Sequence, residues 1–397
     1  MNLPLENERL PEIFRQNGKE YYLDPIRKRL VKVTPEETVR QQMISYLLDK
    51  LNVPQNMLSA EERLSHYGVD STFRADIIVH ENAEDGLHPV CIIECKAPSH
   101  ILGEKAENQA LDYCDSISCN CAIIVNGTDA FYYKYDEAKQ CYYEIEAVKS
   151  YEELLDENYV VFNPGPLPER IPFEKITDYL KDNNCYEIGE DTPPVLAHFA
   201  FNLSECFLDA VRHKLQKKDF ELFKVIDDYG LRLLEYGNHS GGIFSGLYRS
   251  FLIEDNGNTK FLSFAVSGYT RGEGYPVRTA LNLAIDTEKS AHHALQLSLD
   301  DNVVVNGNRF TMYHSGRIGI SNLGSGNVSE LKGLIATRFP RILVNDKICL
   351  GALTENRLFN INDKEVVDLI ENLISYALIR DEYREIVKER NVKKAHH

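Results

Sequence analysis

Two apolar runs of strand length carry charge where a buried strand should carry none, and that conflict limits the fold more than any other feature of the chain. They are Arg74-Ala75-Asp76-Ile77-Ile78-Val79 and Cys91-Ile92-Ile93-Glu94-Cys95-Lys96. The turn residues between them predict a hairpin. Side chains alternate along a strand, so Glu94 and Lys96 share a face and Cys95 points the other way. A register that brings Asp76 to the Glu94 face gathers two carboxylates and an ammonium at one sheet edge. Hard oxygens of this kind suit Mg²⁺, which keeps several waters and takes phosphate oxygens for the rest. A lysine beside them can steady an attacking water or a developing negative charge. The same residues also fit a simple strand-end salt bridge between Glu94 and Lys96, with Asp76 an ordinary turn residue.

The neighbouring elements give this pair a setting. Thr34-Pro35-Glu36-Glu37 is a helix start with an N-cap threonine and proline at the first helical position. Val39, Met43, Ile44, Leu47, Leu48 and Leu51 follow at helical spacing. A second helix is expected over Ile101 to Ser116, with Gln109 and Tyr113 on one face. Cys121 to Val125 reads as a buried strand, turned by Asn126-Gly127 into Phe131 to Tyr135. Arg27-Lys28-Arg29 reads as a solvated edge.

Asp followed by Glu-x-Lys on the next strand resembles the PD-(D/E)XK nuclease superfamily. A longer series resembles the N-terminal nuclease region of type I restriction enzyme motor subunits. Its blocks are Asp24 to Lys28, Thr34 to Gln41, Arg74 to Ile77, Glu94 to Pro98, Gln109 to Tyr113, and Asn126-Gly127. The likeness spans residues 20–135. It implies an α/β restriction-endonuclease-like core, a mixed sheet flanked by helices, acting on DNA in restriction or anti-phage defence. It further implies Mg²⁺, with Mn²⁺ as a substitute, held by Asp76, Glu94, the backbone carbonyl of Cys95, and Glu37. Lys96 would activate the water, and Gln109 would position phosphate or Lys96. Glu37 with Arg40 best fits the family's helix glutamate. The helicase motor of those subunits is not expected, because no Walker A sequence occurs.

At 397 residues the chain predicts at least two domains. The expected boundaries are 1–150 for the nuclease-like domain, 151–192 for a linker with a short helix, and 193–397 for a second, α+β domain. Helices are expected there over Pro194 to Lys217, Phe220 to Glu235, Val328 to Thr337 and Lys364 to Arg390. Strands are expected at Tyr248 to Glu254, Phe261 to Ser267, Thr279 to Asp286, Leu295 to Leu299, Phe310 to Ser315 and Arg317 to Ile320. Two glycine-rich turns are candidate ligand or phosphate contacts: Asn238 and His239 with Tyr248 and Arg249, and Asn322 to Asn327 with Gly324 and Gly326.

A formal charge of -17 argues against indiscriminate nucleic-acid binding. It leaves room for a local basic groove. Nine scattered cysteines without a Cys-x-x-Cys, and no secretory signal or apolar run of membrane length, predict reduced thiols and a cytoplasmic location. Two functions fit. One is a metal-dependent DNA endonuclease, expected as a homodimer because cutting a duplex needs two sites. The other is a regulatory protein that senses a small-molecule or protein trigger through its second domain, with the nuclease fold as output or scaffold.

Overall fold

The structure is a computed structural model. It describes every residue except 85, 164, 166–167, 184, 238–242, 273, 288–289, 321–323 and 396–397. Asn238, His239 and Asn322 therefore lie outside the described residues. The chain divides into two units, Met1–Leu167 and Pro168–His397.

The first unit opens with three short strands, β1 (Ile13–Gln16), β2 (Lys19–Asp24) and β3 (Arg29–Lys32), paired in that order. Helix α1 (Pro35–Asp49) starts where expected: the Thr34 hydroxyl accepts the Glu37 N–H at 3.1 Å. Strands β4 (Leu58–Arg63), β5 (Arg74–Ala83) and β6 (Gly86–Cys95) follow, then α2 (Glu104–Ser116). Next come β7 (Cys121–Val125), β8 (Ala130–Asp136), β9 (Cys141–Ile145) and the short α3 (Tyr151–Leu155). β4 to β9 form one sheet in sequence order, antiparallel except for the parallel β6–β7 pair that α2 connects.

The sheet is mixed, and a different helix covers each face. Val39, Met43, Ile44 and Leu47 of α1 pack with Ile77, Ile93, Cys95 and Ile123 on one side. Ala106, Ala110 and Cys114 of α2 pack with Ile78, Ile92 and Ile124 on the other. β7 is buried throughout, as a strand covered on both faces must be.

In the second unit α4 (Ile176–Asp182) and α5 (Pro194–Leu208) precede a six-stranded antiparallel sheet. Its strands are β10 (Lys218–Asp219), β11 (Lys224–Gly237), β12 (Ile243–Asp255), β13 (Asn258–Tyr269), β14 (Arg278–Thr287) and β15 (Ser290–Ser298). After α6 (Leu299–Asn302) come β16 (Val303–Asn306), β17 (Arg309–His314), α7 (Val328–Arg338), β18 (Leu343–Val344), β19 (Lys347–Thr354) and α8 (Lys364–Ala395). β16, β17, β19 and β18 make a second, four-stranded sheet. Phe199 and Phe207 of α5, Phe251 and Phe264 of the large sheet, and Leu373 and Ile374 of α8 share one core.

Three expectations are corrected here. Phe220 to Glu235 is not a helix: β11 pairs with β12 along its length. Gly230 takes φ +94° beside a register shift, a conformation suited to a bulge and foreign to a helix. Arg317 to Ile320 is not a strand and contributes only an isolated bridge, Gly319 to Ser325. The helix expected to reach Lys217 stops at Leu208.

Residues on either side of Leu167 are tied to different units. Tyr151 N–H donates to Leu51 O at 2.7 Å, and Phe162 N–H to Glu144 O at 2.9 Å. In the second unit, Arg170 donates to Phe359 O at 2.7 Å, and Gly189 N–H to the Thr279 hydroxyl at 2.9 Å.

Candidate functional site

Ile77 pairs with Ile93, so the next position along the ladder sets Asp76 opposite Glu94 on the α2 side of the sheet. Both are buried, Asp76 to 8% exposure and Glu94 to 3%. Lys96, just past the end of β6, donates to Glu94 Oε1 at 2.7 Å and to Gln109 Oε1 at 3.0 Å. Gln109 in turn donates from Nε2 to the same Glu94 oxygen at 2.5 Å and to the Tyr113 hydroxyl at 3.2 Å. Lys96, Gln109 and, through Gln109, Tyr113 thus form one hydrogen-bonded set with Glu94 Oε1.

The other Glu94 oxygen, Oε2, is buried and has no partner. A carboxylate oxygen left this way costs free energy unless something cationic or protic meets it. Titration points the same way. Burial, then the neighbouring Asp76 carboxylate, push Glu94 up to about 7 against the pull of Lys96. Burial works to lower Lys96, but the charge and hydrogen bond of Glu94 outweigh it and hold the ammonium above its ordinary value.

Asp76 is held from two sides. Oδ2 accepts the Cys95 N–H at 2.7 Å, and Oδ1 accepts Arg40 Nη2 at 2.5 Å. Arg40 also pairs with Glu61 at 2.9 Å and with Glu37 Oε2. Glu37 is therefore occupied by arginines: Oε1 accepts from Arg27 and, at 2.8 Å, from Gln41 Nε2. Arg27 closes the series on the fully buried Asp24 at 2.6 Å. Asp24, Arg27, Glu37, Arg40 and Asp76 alternate in sign from the first strands to the carboxylate pair. Arg27 consequently belongs to the interior, while Lys28 and Arg29 of the same basic triplet stay outside. The Cys95 side chain points into the α1-side core, as its strand parity requires.

No group of three His, Cys, Asp or Glu side chains stands in metal-holding geometry among the described residues. Mg²⁺ asks for less than that, since one or two carboxylates and waters suffice. The Asp76 carboxylate and the orphan Oε2 of Glu94 are the groups that could hold such an ion.

The second-unit candidates are engaged otherwise. Tyr248 and Arg249 are successive on β12 and face opposite sides. Arg249 is wholly buried; it pairs with Asp228 through Nε at 2.7 Å and donates to the carbonyls of Phe207 and His213. The Tyr248 hydroxyl meets His293 Nε2 at 3.1 Å. In the other turn Gly326 N–H is taken by Ile318 O, and a Cβ at Gly326 would collide with Tyr383 and Ile318. Asn327 caps α7 with its own side chain, accepting from the N–H groups of Ser329 and Glu330. Those N–H groups are already satisfied and do not form an open phosphate cradle.

Helix, mixed sheet and an opposed carboxylate pair with its lysine define the architecture of the first unit. Residues 35–149 match the family model described as type I restriction enzyme R protein N terminus (HSDR_N). That stretch includes α1, the carboxylate pair, Lys96 and Gln109, and is similar to the nuclease-like N-terminal region of such R proteins. No curated protein and no solved structure matches the chain.

Proposed function

We propose that the first unit is a restriction-endonuclease-like domain that hydrolyses DNA phosphodiester bonds with Mg²⁺, or Mn²⁺ in its place, in restriction or anti-phage defence. The observation that carries this reading is the unpartnered Glu94 Oε2 beside Asp76, next to Lys96. Asp76 and Glu94 would hold the metal, with the Cys95 carbonyl as a further ligand. When bound, the ion supplies Lewis acidity and a more acidic water.

The chain's own residues do the rest. Lys96, kept charged by Glu94, orients the attacking water and offsets charge developing on the phosphate. Gln109 fixes the Lys96 ammonium through Oε1 and the Glu94 carboxylate through Nε2. Arg40 fixes Asp76. Glu37 acts through Arg40 as a positioning residue. The homodimer and the trigger belong to the same proposal: a duplex has two scissile strands, and this unit offers one carboxylate pair.

Cleavage of plasmid and single-stranded DNA with Mg²⁺ or Mn²⁺ tests the reading, comparing wild type with Lys96→Ala. Metal-dependent cutting that the substitution lowers by on the order of a hundredfold or more, in a folded variant, is expected. Equal cutting by both proteins would refute the assignment.

A further inference from the structure

We propose that the outer face of the β1–β3 sheet is a binding platform for single-stranded DNA. The inference rests on the nuclease reading and adds to it a contact for an unpaired segment of the DNA, such as an opened duplex offers. Directly opposed residues share a face, and the register sets Phe14 beside Tyr21, Tyr21 beside Lys32, Gln16 beside Lys19, and Leu23 beside Leu30. The opposite face is the packed one. Tyr22, Asp24 and Val31 are buried, and the Tyr22 hydroxyl meets the Thr38 hydroxyl of α1 at 3.1 Å.

Phe14, Leu23 and Leu30 on the outer face are each 40% exposed or more. Together they give this face a small apolar patch. Lys19 and Lys32 stand beside them, and neither makes an ion pair among the described residues. Both line a shallow groove of about 470 Å³ at the Gly18 turn, which Arg15 and Glu20, paired with each other at 2.8 Å, border from the opposite face. Of the basic side chains in residues 9–33, Arg9, Arg15 and Arg27 are ion-paired, and Lys19 and Lys32 are the lysines that this face presents. Phosphates would be met by these two lysines.

Aromatic and aliphatic surface interleaved with lysine suits unpaired bases, which offer a stacking face along with a phosphate. A duplex hides its bases and would gain nothing from Phe14 or Tyr21. Asp24 at the end of β2 and Arg27 in the turn are the first members of the buried charge series that ends on Asp76. The platform is thus rooted in the structure that holds the carboxylate pair.

Fluorescence anisotropy with a labelled single-stranded oligonucleotide and its duplex tests this on the full chain, in EDTA to prevent cleavage. Wild type is expected to favour the single strand. Phe14→Ala with Tyr21→Ala should weaken it by on the order of 5- to 100-fold. Lys19→Gln with Lys32→Gln should lower the salt-dependence slope by roughly 0.7 per lysine. These side chains are exposed or half-exposed, so circular dichroism should be unchanged. No single-strand binding by the wild type, or equal affinity in all variants, would overturn the platform. So would a duplex preference, or variants that alter only self-association by sedimentation. Loss of binding in the sheet variants together with full cutting by Lys96→Ala would uphold the platform and refute the catalytic assignment, so the two failures separate.

Discussion

Each unit buries a charged constellation, and the two differ in how completely they are satisfied. In the second unit the guanidinium of Arg249 meets both oxygens of Asp228 and two backbone carbonyls, and both residues are at or below 2% exposure. In the first unit Glu94 is as deeply buried but gives one oxygen to Lys96 and Gln109 and leaves the other without a partner. A closed constellation can hold a fold in register, and an incomplete one keeps the capacity to take a further partner. The contrast shows why burial and charge alone do not mark a site. What distinguishes the two is the leftover bonding capacity.

The largest way to break the comparison is on activity. Lys96→Ala should remove metal-dependent cleavage, by the hundredfold or more given above, while leaving the fold intact. Stability should respond in the opposite manner. Arg249→Ala leaves Asp228 buried and unpaired, and urea denaturation should show a loss of about 3–5 kcal/mol. Arg40→Ala, which strips the cation from Asp76, Glu37 and Glu61, should fall in the same range. If Lys96→Ala unfolds the protein as severely as these, the first-unit group is structural and the contrast collapses.

How much of this was legible beforehand depends on the kind of signal. The Thr34 cap, the hairpin, and the parity of Glu94 and Lys96 follow from local rules of strand and helix, and the structure has them; the register that sets Asp76 opposite Glu94 does not follow from those rules and comes from the pairing of β5 with β6. Gln109 could be placed because helical spacing fixes its face. The partition of Arg27-Lys28-Arg29 was not legible, since burial of Arg27 depends on Glu37 ten residues on. In β11, Val225, Ile226, Tyr229, Leu233 and Tyr236 recur at helical spacing, so the sequence fits a helix as readily as a strand. The pairing with β12 and the bulge at Gly230 decided it. Arg249 looked available beside a glycine-rich turn, and only the approach of Phe207, His213 and Asp228 shows it to be fully engaged.

pH sharpens the contrast further. Glu94 binds its proton more tightly in the folded state, so between its ordinary 4.5 and about 7 the folded protein holds a proton that the unfolded chain lacks. Stability contributed by this group is therefore fully present below pH 4.5 and is lost as pH rises through about 7. Denaturation across that window, referenced to Glu94→Gln, should show the decline in wild type. Added Mg²⁺ should flatten it, because a bound cation favours the carboxylate. A profile that matches Glu94→Gln would mean that Glu94 is not perturbed. The smallest effect concerns the second-unit turn. Asn327→Ala should cost about 1 kcal/mol as the loss of an N-cap, with no change in binding of inorganic phosphate.

Direct metal binding tests the central claim with least dependence on substrate or trigger. Mn²⁺ titrated into the full chain, followed by electron paramagnetic resonance or calorimetry, should show a site that Glu94→Gln removes and the exposed Lys28→Gln retains. Equal Mn²⁺ binding by wild type and Glu94→Gln, or no binding by the wild type, would contradict the account, leaving Glu94 and Lys96 as a buried salt bridge at the end of a strand.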